Sequence, residues 1–193
     1  MSKKLIKFEI GGIFFVLIMS VFLQNLYILS DRQLIGVMFG SVNDSIWETA
    51  KTLLLPFILW SLIEAMCVRL PFRKFVVSKV ISLYYLGLCY IFLCLIFSFS
   101  DSSSRYIFEF TSAIIAVCTA LFLSHKLIFS KYDLQTLFAP SLFMLLLFVA
   151  IYCSFTPFPP KFYIFMDRAT NLYGIIPEHI DEGAIVLDAM YQF

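Results

Sequence analysis

Five long apolar segments dominate this sequence and limit what the chain can fold into. A helix needs about 20 mostly apolar residues to cross a bilayer, and five segments approach that length: 10–29, 53–68, 76–97, 106–123 and 134–153. Hydrophobic residues make up 61% of the chain and charged residues 14%, against about 45–50% and 25% in soluble domains. The sequence therefore predicts an all-α integral membrane protein, a five-helix bundle that forms one domain over residues 1–193.

The distribution of lysine and arginine predicts how this bundle is threaded, because short cytoplasmic loops carry an excess of both. With the N-terminus inside, the cytoplasmic segments hold nine of these residues and the outer segments hold five. The run at 10–29 is too long for the apolar part of a signal peptide, so we expect it to remain as the first helix. We predict a protein of the cell (inner) membrane with a cytoplasmic N-terminus and an extracytoplasmic segment over 156–193.

Charge and cysteine usage narrow the classes of partner. The formal net charge is only +1, and no basic run suggests a nucleic-acid partner. All five cysteines fall within or at the ends of apolar segments without a C-x-x-C motif, which favours small buried side chains over disulfides or a metal site. We expect no cofactor, a lipid bilayer as the main partner, and a small-molecule, lipid or protein ligand.

The stretch from residue 41 to 68 holds the densest cluster of polar and aromatic groups. Ser41, Asn43 or Asp44 is suited to cap the start of a helix. Helical spacing then places four side chains on one face: Asp44, Trp47, Glu48 and Lys51. We interpret these turns as an interfacial helix that continues into the second membrane span.

The segment after the fifth span is predicted to fold back over this stretch. Residues 156–160 should run extended, because proline fixes φ and restricts its predecessor, and residues 167–175 have the composition of a turn. The predicted topology puts both segments outside, where they would form a cap with Trp47 beneath Pro159, Pro160 and neighbouring aromatic rings. The candidate ligand-binding or structural residues of the cap are Asn43, Asp44, Trp47, Glu48, Lys51, Asp167, Thr170, Tyr173 and Gly174.

Asp44 and Glu48 would carry like charges four residues apart, which destabilises a helix by roughly 0.2–0.5 kcal/mol. Lys51, Arg168 from the tail, or a hard cation such as Ca²⁺ would each relieve this repulsion. Lys51 and Arg168 would make the cap a set of salt bridges, and a cation would make it a metal site.

Polar residues inside the spans are the other candidates: Gln24, Asn25, Glu64 and Glu109. Gln24 and Asn25 would bond to a neighbouring helix or contact a substrate. Glu64 should be protonated, paired, or close to the inner surface, because a charge at the centre of a span costs about 2.5–3.5 kcal/mol. Glu109 is placed to pair with Arg105, four residues earlier.

Two further residues of the spans have predicted structural effects. Lys79 should extend along its aliphatic stem to the inner surface. Pro140 should kink the fifth span by removing one backbone hydrogen bond.

Two motifs resemble those of a family of uncharacterised bacterial multi-pass membrane proteins. V-N-D-S-I-W-E-T-A-K followed by P-F-I-L-W-S-L-I-E is similar to that family's V-N-E-S-V-W-E-H-x-K and P-F-x-L-x-x-x-x-E. The ending F-T-P-F-P-P-K-F-Y-I-F-M-D-R-A-T-N-L-Y-G-I is similar to F-T-x-x-P-P-x-x-P-L-F-x-D-P-x-T-G-x-Y-G-I. The chain departs from the pattern at Asp44, Thr49, Arg168 and Asn171. The resemblance spans residues 8–175 and implies the membrane topology, but no activity.

The sequence supports two hypotheses about function. The first is a non-enzymatic binding or transport-related module with an outer cap. The alternative is a membrane-embedded enzyme that uses Glu48, Asp167 and Asp44 at the outer surface. Neither G-x-S-x-G nor H-E-x-x-H occurs, so nucleophilic and zinc-dependent catalysis find no support.

Overall fold

The computed structural model of the protein describes residues 2–97 and 102–176. Within them the chain forms six α-helices and two short 3₁₀ helices, at Leu134–Leu137 and Tyr163–Phe165. The α-helices are α1 (Ser2–Leu29), α2 (Leu34–Phe39), α3 (Ile46–Cys67), α4 (Phe72–Phe97), α5 (Ser102–Ile128) and α6 (Phe138–Ser154). The predicted all-α class is confirmed.

In residues 2–97 and 102–176, five helical segments are long and apolar enough to cross a membrane, which confirms the predicted number: Leu5–Leu29, Ile46–Cys67, Phe72–Phe97, Arg105–Ile128 and Leu134–Ser154. The bundle packs α1 against α3, and α4 against both α3 and α5. Large apolar side chains point outward on every long helix, for example Phe14, Leu62, Leu88, Phe122 and Leu146. A lipid environment would cover these side chains, whereas water would leave a large apolar surface exposed.

The start of α3 differs from the prediction. Its N-cap is Ser45, whose side chain accepts a hydrogen bond from the Glu48 N–H, so the caps proposed at Ser41, Asn43 and Asp44 are wrong. Asp44 lies before the helix and does not share a helical face with Trp47 and its neighbours. The helix then runs without interruption to Cys67.

The short helix α2 is a feature that the sequence analysis missed. Asp31 and Arg32 have left-handed backbone conformations, with φ of 51° and 59°, and they turn the chain back along the end of α1. A Cβ atom at Gly36 would lie 2.7 Å from the Tyr27 Cα, and one at Gly40 would lie 2.8 Å from the Tyr27 N. Glycine is therefore required at both positions, because the backbone of α1 cannot move aside.

Pro140 lies at the start of α6, so it does not remove a hydrogen bond from the middle of a helix as predicted. It is the third residue of α6, in the first turn, where a backbone N–H has no partner within the helix. The predicted span is instead divided into the 3₁₀ helix Leu134–Leu137 and α6, which starts at Phe138. Proline is accommodated at a helix start and would be costly only further along.

Candidate functional site

The loop before α3 and the segment after α6 meet at one end of the bundle. The Asp44 N–H donates to Asp167 Oδ1 at 2.8 Å, and Asn43 Nδ2 donates to the Gly174 carbonyl at 2.7 Å. Asn43 Oδ1 also accepts a hydrogen bond from the Ser45 N–H at 2.9 Å. We call residues 40–48 and 155–176 the cap, since together they cover this end.

The tail half of the cap is a turn organised by one carboxylate. Asp167 Oδ2 accepts hydrogen bonds from the Thr170 N–H and hydroxyl, both at 2.8 Å. Asn171 and Gly174 have positive φ of 60° and 73°, and Met166 and Tyr173 form an isolated antiparallel bridge. The turn predicted for residues 167–175 is confirmed, while residues 177–193 of the predicted tail lie outside the described part of the chain.

The electrostatics of Asp167 follow from these contacts. Burial alone would raise the pKa of this carboxyl group. Hydrogen bonds from the side chain and backbone of Thr170 and from the backbone N–H groups of Asp44 and Ala169 outweigh that effect and hold the pKa below its usual value. The ionised carboxylate is therefore the form that holds the turn and the α3 loop together.

A buried charge cluster lies beneath this turn. Lys51 Nζ lies 2.8 Å from Glu48 Oε2 and donates to the Thr156 hydroxyl at 2.8 Å. That hydroxyl donates in turn to Glu48 Oε1 at 2.8 Å, and the Val42 N–H donates to Glu48 Oε2 at 3.2 Å. Lys51 Nζ also donates to the Val37 carbonyl at 3.3 Å. The cluster ties α3 to α2 and to the residues that follow α6.

The sequence suggested three groups that could relieve repulsion between Asp44 and Glu48. In the structure, Lys51 is the group that pairs with Glu48. Arg168 instead forms an ion pair with Glu109 of α5. Glu109 therefore pairs with a residue of the tail, and the predicted pairing with Arg105 is wrong. In residues 2–97 and 102–176 no three histidine, cysteine, aspartate or glutamate side chains are placed to hold a metal ion.

Trp47 forms the aromatic contact between α3 and the tail. Its ring centroid lies 5.4 Å from that of Phe155 and 5.5 Å from that of Phe165, and Phe155 and Phe165 contact each other edge to face. Pro159 borders the same region. The predicted packing of Trp47 under the tail therefore rests mainly on the two phenylalanines.

A cavity of about 420 Å³ lies between the cap and the ends of α1 and α5. Both halves of the cap line it, through Asn43 and Asp44 on one side and Asp167 and Thr170 on the other. The remaining polar wall residues are Gln24, Tyr27, Arg32, Ser41, Thr49, Tyr106 and Glu109. We call this space the cap cavity.

A second cavity of about 200 Å³ lies deeper, between α1 and α5. It shares Gln24, Tyr106 and Glu109 with the cap cavity, and most of its other wall residues are apolar: Leu17, Val21, Leu53, Phe110 and Ala113. Gln24 is thus a cavity residue. Asn25 donates to the Val21 carbonyl of its own helix at 2.8 Å, so its predicted bond to another helix is wrong.

Glu64 lies at the opposite end of the bundle, in a second charge cluster. Lys79 Nζ lies 2.6 Å from Glu64 Oε2 and 3.2 Å from Glu9 Oε1. Lys79 is buried, so the prediction that it extends to the inner surface is wrong. We call Glu9, Glu64 and Lys79 the acid–lysine triad.

Sequence reasoning missed Glu9 and Thr156, which complete the two buried clusters. Glu9 directly precedes the first apolar run, and Lys79 lies near the start of the third. Both residues are therefore near the inner ends of their spans, and this match of opposite charges was the signal that could have predicted the pair. Thr156 carried no such signal, because a threonine before prolines is ordinary in a loop. Its role depends on the end of α6 lying beside α3.

Of the comparisons with known proteins, only the comparison with protein families gives a match. Neither the curated proteins nor the solved structures provide a match to this chain. A family of unknown function, DUF6512, matches residues 1–175. This range contains every described residue of the cap and of the triad except Ile176, the last residue that the structure describes. The chain therefore belongs to the DUF6512 family.

Proposed function

We propose that this protein is a single-domain, multi-pass protein of a bacterial cell (inner) membrane, with its N-terminus in the cytoplasm and its cap outside. The excess of lysine and arginine in the segments at the triad end supports this orientation. The first turns of α3 would then lie at the outer interface, and the C-terminal segment would be extracytoplasmic.

Labelling of introduced cysteines tests the orientation. Asp44 is exposed at the cap, and Tyr132 is 77% exposed at the other end. In a variant whose five native cysteines are replaced by alanine, we expect a membrane-impermeant maleimide to label Asp44→Cys on intact cells and Tyr132→Cys only after permeabilisation. The reverse pattern would contradict the proposed topology.

The function that the geometry supports best is binding of a small amphiphilic molecule, without catalysis, at the cap. The observation that carries this proposal is the cap cavity, whose volume of about 420 Å³ lies in the range of small-molecule sites, roughly 300–1,000 Å³. It adjoins the deeper apolar cavity between α1 and α5. A polar head in the first and an apolar group in the second would match the two linings.

The charges of the cap cavity favour a head group that is cationic or rich in hydrogen-bond donors. Its lining has three acids, Asp44, Glu109 and Asp167, against one base, Arg32. Glu109 is paired with Arg168 and Asp167 is saturated with N–H and O–H donors. Asp44, whose side chain is exposed, is the acid best placed to meet a ligand.

The same contacts weaken the case for an enzyme that uses the outer acids. Both oxygens of Glu48 accept hydrogen bonds, and the residue is 2% exposed. Both oxygens of Asp167 are likewise occupied by donors. Groups held in this way support a structural role, because a general acid or base must reach the proton that it transfers.

Filling the deeper cavity tests the binding proposal. Native mass spectrometry of the purified protein should detect a bound amphiphile, and Val21→Trp should reduce the bound fraction at least tenfold by occupying the cavity. The matched control is Val149→Trp on α6. Both valines are 49% exposed, but Val149 borders neither cavity. A protein that carries no amphiphile, or equal loss in both variants, would contradict the proposal.

A further inference from the structure

The acid–lysine triad has one negative charge more than it can balance. Glu9 from α1, Glu64 from α3 and Lys79 from α4 converge at the end of the bundle opposite the cap, and each side chain is less than 10% exposed. Two carboxylates and one ammonium group leave a net charge of −1 if all three are ionised. An unbalanced charge in such a site costs several kcal/mol.

The hydrogen bonds within the triad are unevenly distributed. Glu9 Oε1 accepts from Lys79 Nζ at 3.2 Å and from the Ser124 hydroxyl at 3.1 Å. In the described part of the chain, Glu9 Oε2 and both oxygens of the fully buried Glu64 accept no hydrogen bond, although Glu64 Oε2 lies 2.6 Å from Lys79 Nζ. Buried polar atoms are almost always hydrogen-bonded, and a proton on one of the two carboxyl groups would remove the need for further donors.

Among the residues whose side chains the structure describes, no second cation forms an ion pair with Glu9 or Glu64. Lys79 Nζ lies 5.7 Å from the centre of the Phe57 ring and 5.6 Å from that of the Phe75 ring. His125 of α5 faces the same region, but within the described residues it forms no ion pair with either acid. The sequence of α6 contains no ionisable acid, lysine, arginine or histidine.

We propose that Glu9, Glu64 and Lys79 form a binding site for one proton, which the two carboxyl groups share. Lys79 already takes the place that a metal cation would occupy between the acids, and a proton needs no further space. With the proton on Glu9, Lys79 pairs with Glu64, as its shorter contact indicates. With the proton on Glu64, Lys79 pairs with Glu9, so one proton decides which helix, α1 or α3, is tied to α4.

Infrared spectroscopy of the full chain in lipid nanodiscs tests this site near neutral pH. The wild type should show the carbonyl stretch of one protonated carboxylic acid, shifted by exchange into heavy water. Both Glu9→Gln and Glu64→Gln should abolish this band, because the remaining carboxylate then pairs with Lys79 alone. Glu109→Gln, at the cap, and His125→Gln should leave it unchanged.

Three results would overturn the proposal. The first is absence of the band in the wild type, a measurement that needs no variant to fold. The second is persistence of the band in either Glu9→Gln or Glu64→Gln, since the proton would then belong to a single acid. The third is a Lys79→Gln variant whose band does not grow, because loss of the ammonium should leave both carboxyl groups protonated.

Discussion

Replacing Lys51 with methionine is expected to lower the melting temperature by about 6–20 °C. Removing one partner of a buried ion pair costs about 3–5 kcal/mol, and in a chain of this size each kcal/mol corresponds to about 2–4 °C. Lys51 is fully buried, and its ammonium group contacts Glu48, Thr156 and the Val37 carbonyl. Without it, the buried Glu48 carboxylate has no counter-charge.

A double variant separates loss of charge balance from loss of packing. Glu48→Gln removes the charge. Its amide oxygen can accept from the Val42 N–H, and its NH2 group can donate to the Thr156 hydroxyl oxygen that Lys51 no longer occupies. We therefore expect Lys51→Met/Glu48→Gln to melt well above Lys51→Met. Lys161→Met, at an exposed position, is the control for removal of a lysine and should melt like the wild type. Thermal unfolding in detergent measures all four proteins, and a Lys51→Met protein as stable as wild type would show that the cluster contributes little.

Asp167→Asn is expected to have the second largest effect on stability, about 1.5–3 kcal/mol, the range for hydrogen bonds to a charged group. The carboxylate accepts from the Asp44 N–H and from both donors of Thr170, whereas an amide has one acceptor oxygen. The control is Asp44→Asn, because Asp44 contributes its backbone N–H to this contact and not its side chain. Asp167→Asn should melt below wild type at neutral pH, and Asp44→Asn should not.

The same contact predicts a pH dependence with a definite sign. The pKa of Asp167 is lower in the folded protein than the usual value, which is about 3.9 for an unfolded chain. Its contribution to stability is therefore complete above about pH 4 and is lost as the pH falls through the lower folded value. The difference in melting temperature between wild type and Asp167→Asn should shrink in this acid range. A difference that stays constant there would contradict an ionised Asp167.

The features that could be predicted from sequence are those that depend on neighbouring residues. Each span is a run of apolar side chains long enough to cross a bilayer, and that property is local. The turn from Asp167 to Gly174 is also local, because a carboxylate accepts from donors three residues away and two residues adopt positive φ. The meeting of the tail with the start of α3 followed from topology, since the four predicted spans between them, an even number, put both on the same side.

The choice of partner for each charged residue could not be predicted in the same way. Arg105 lies one helical turn before Glu109, yet Arg168 takes that place because the tail turn lies against α5. Lys79 has a stem long enough to reach the surface. It remains buried because Glu9 and Glu64, on two other helices, point at it.

The sequence alone determined that the described part of the chain forms five helices long and apolar enough to cross a membrane, because transfer of apolar residues from water dominates every other term and acts segment by segment. Only the tertiary structure decided that Glu48 pairs with Lys51 under Thr156, that Glu9, Glu64 and Lys79 share one site, and that a cavity lies below the cap. Buried charges must find partners wherever the packed helices place them, and these partners lie far apart in the chain, 108 residues for Thr156 and Glu48 and 115 for Ser124 and Glu9.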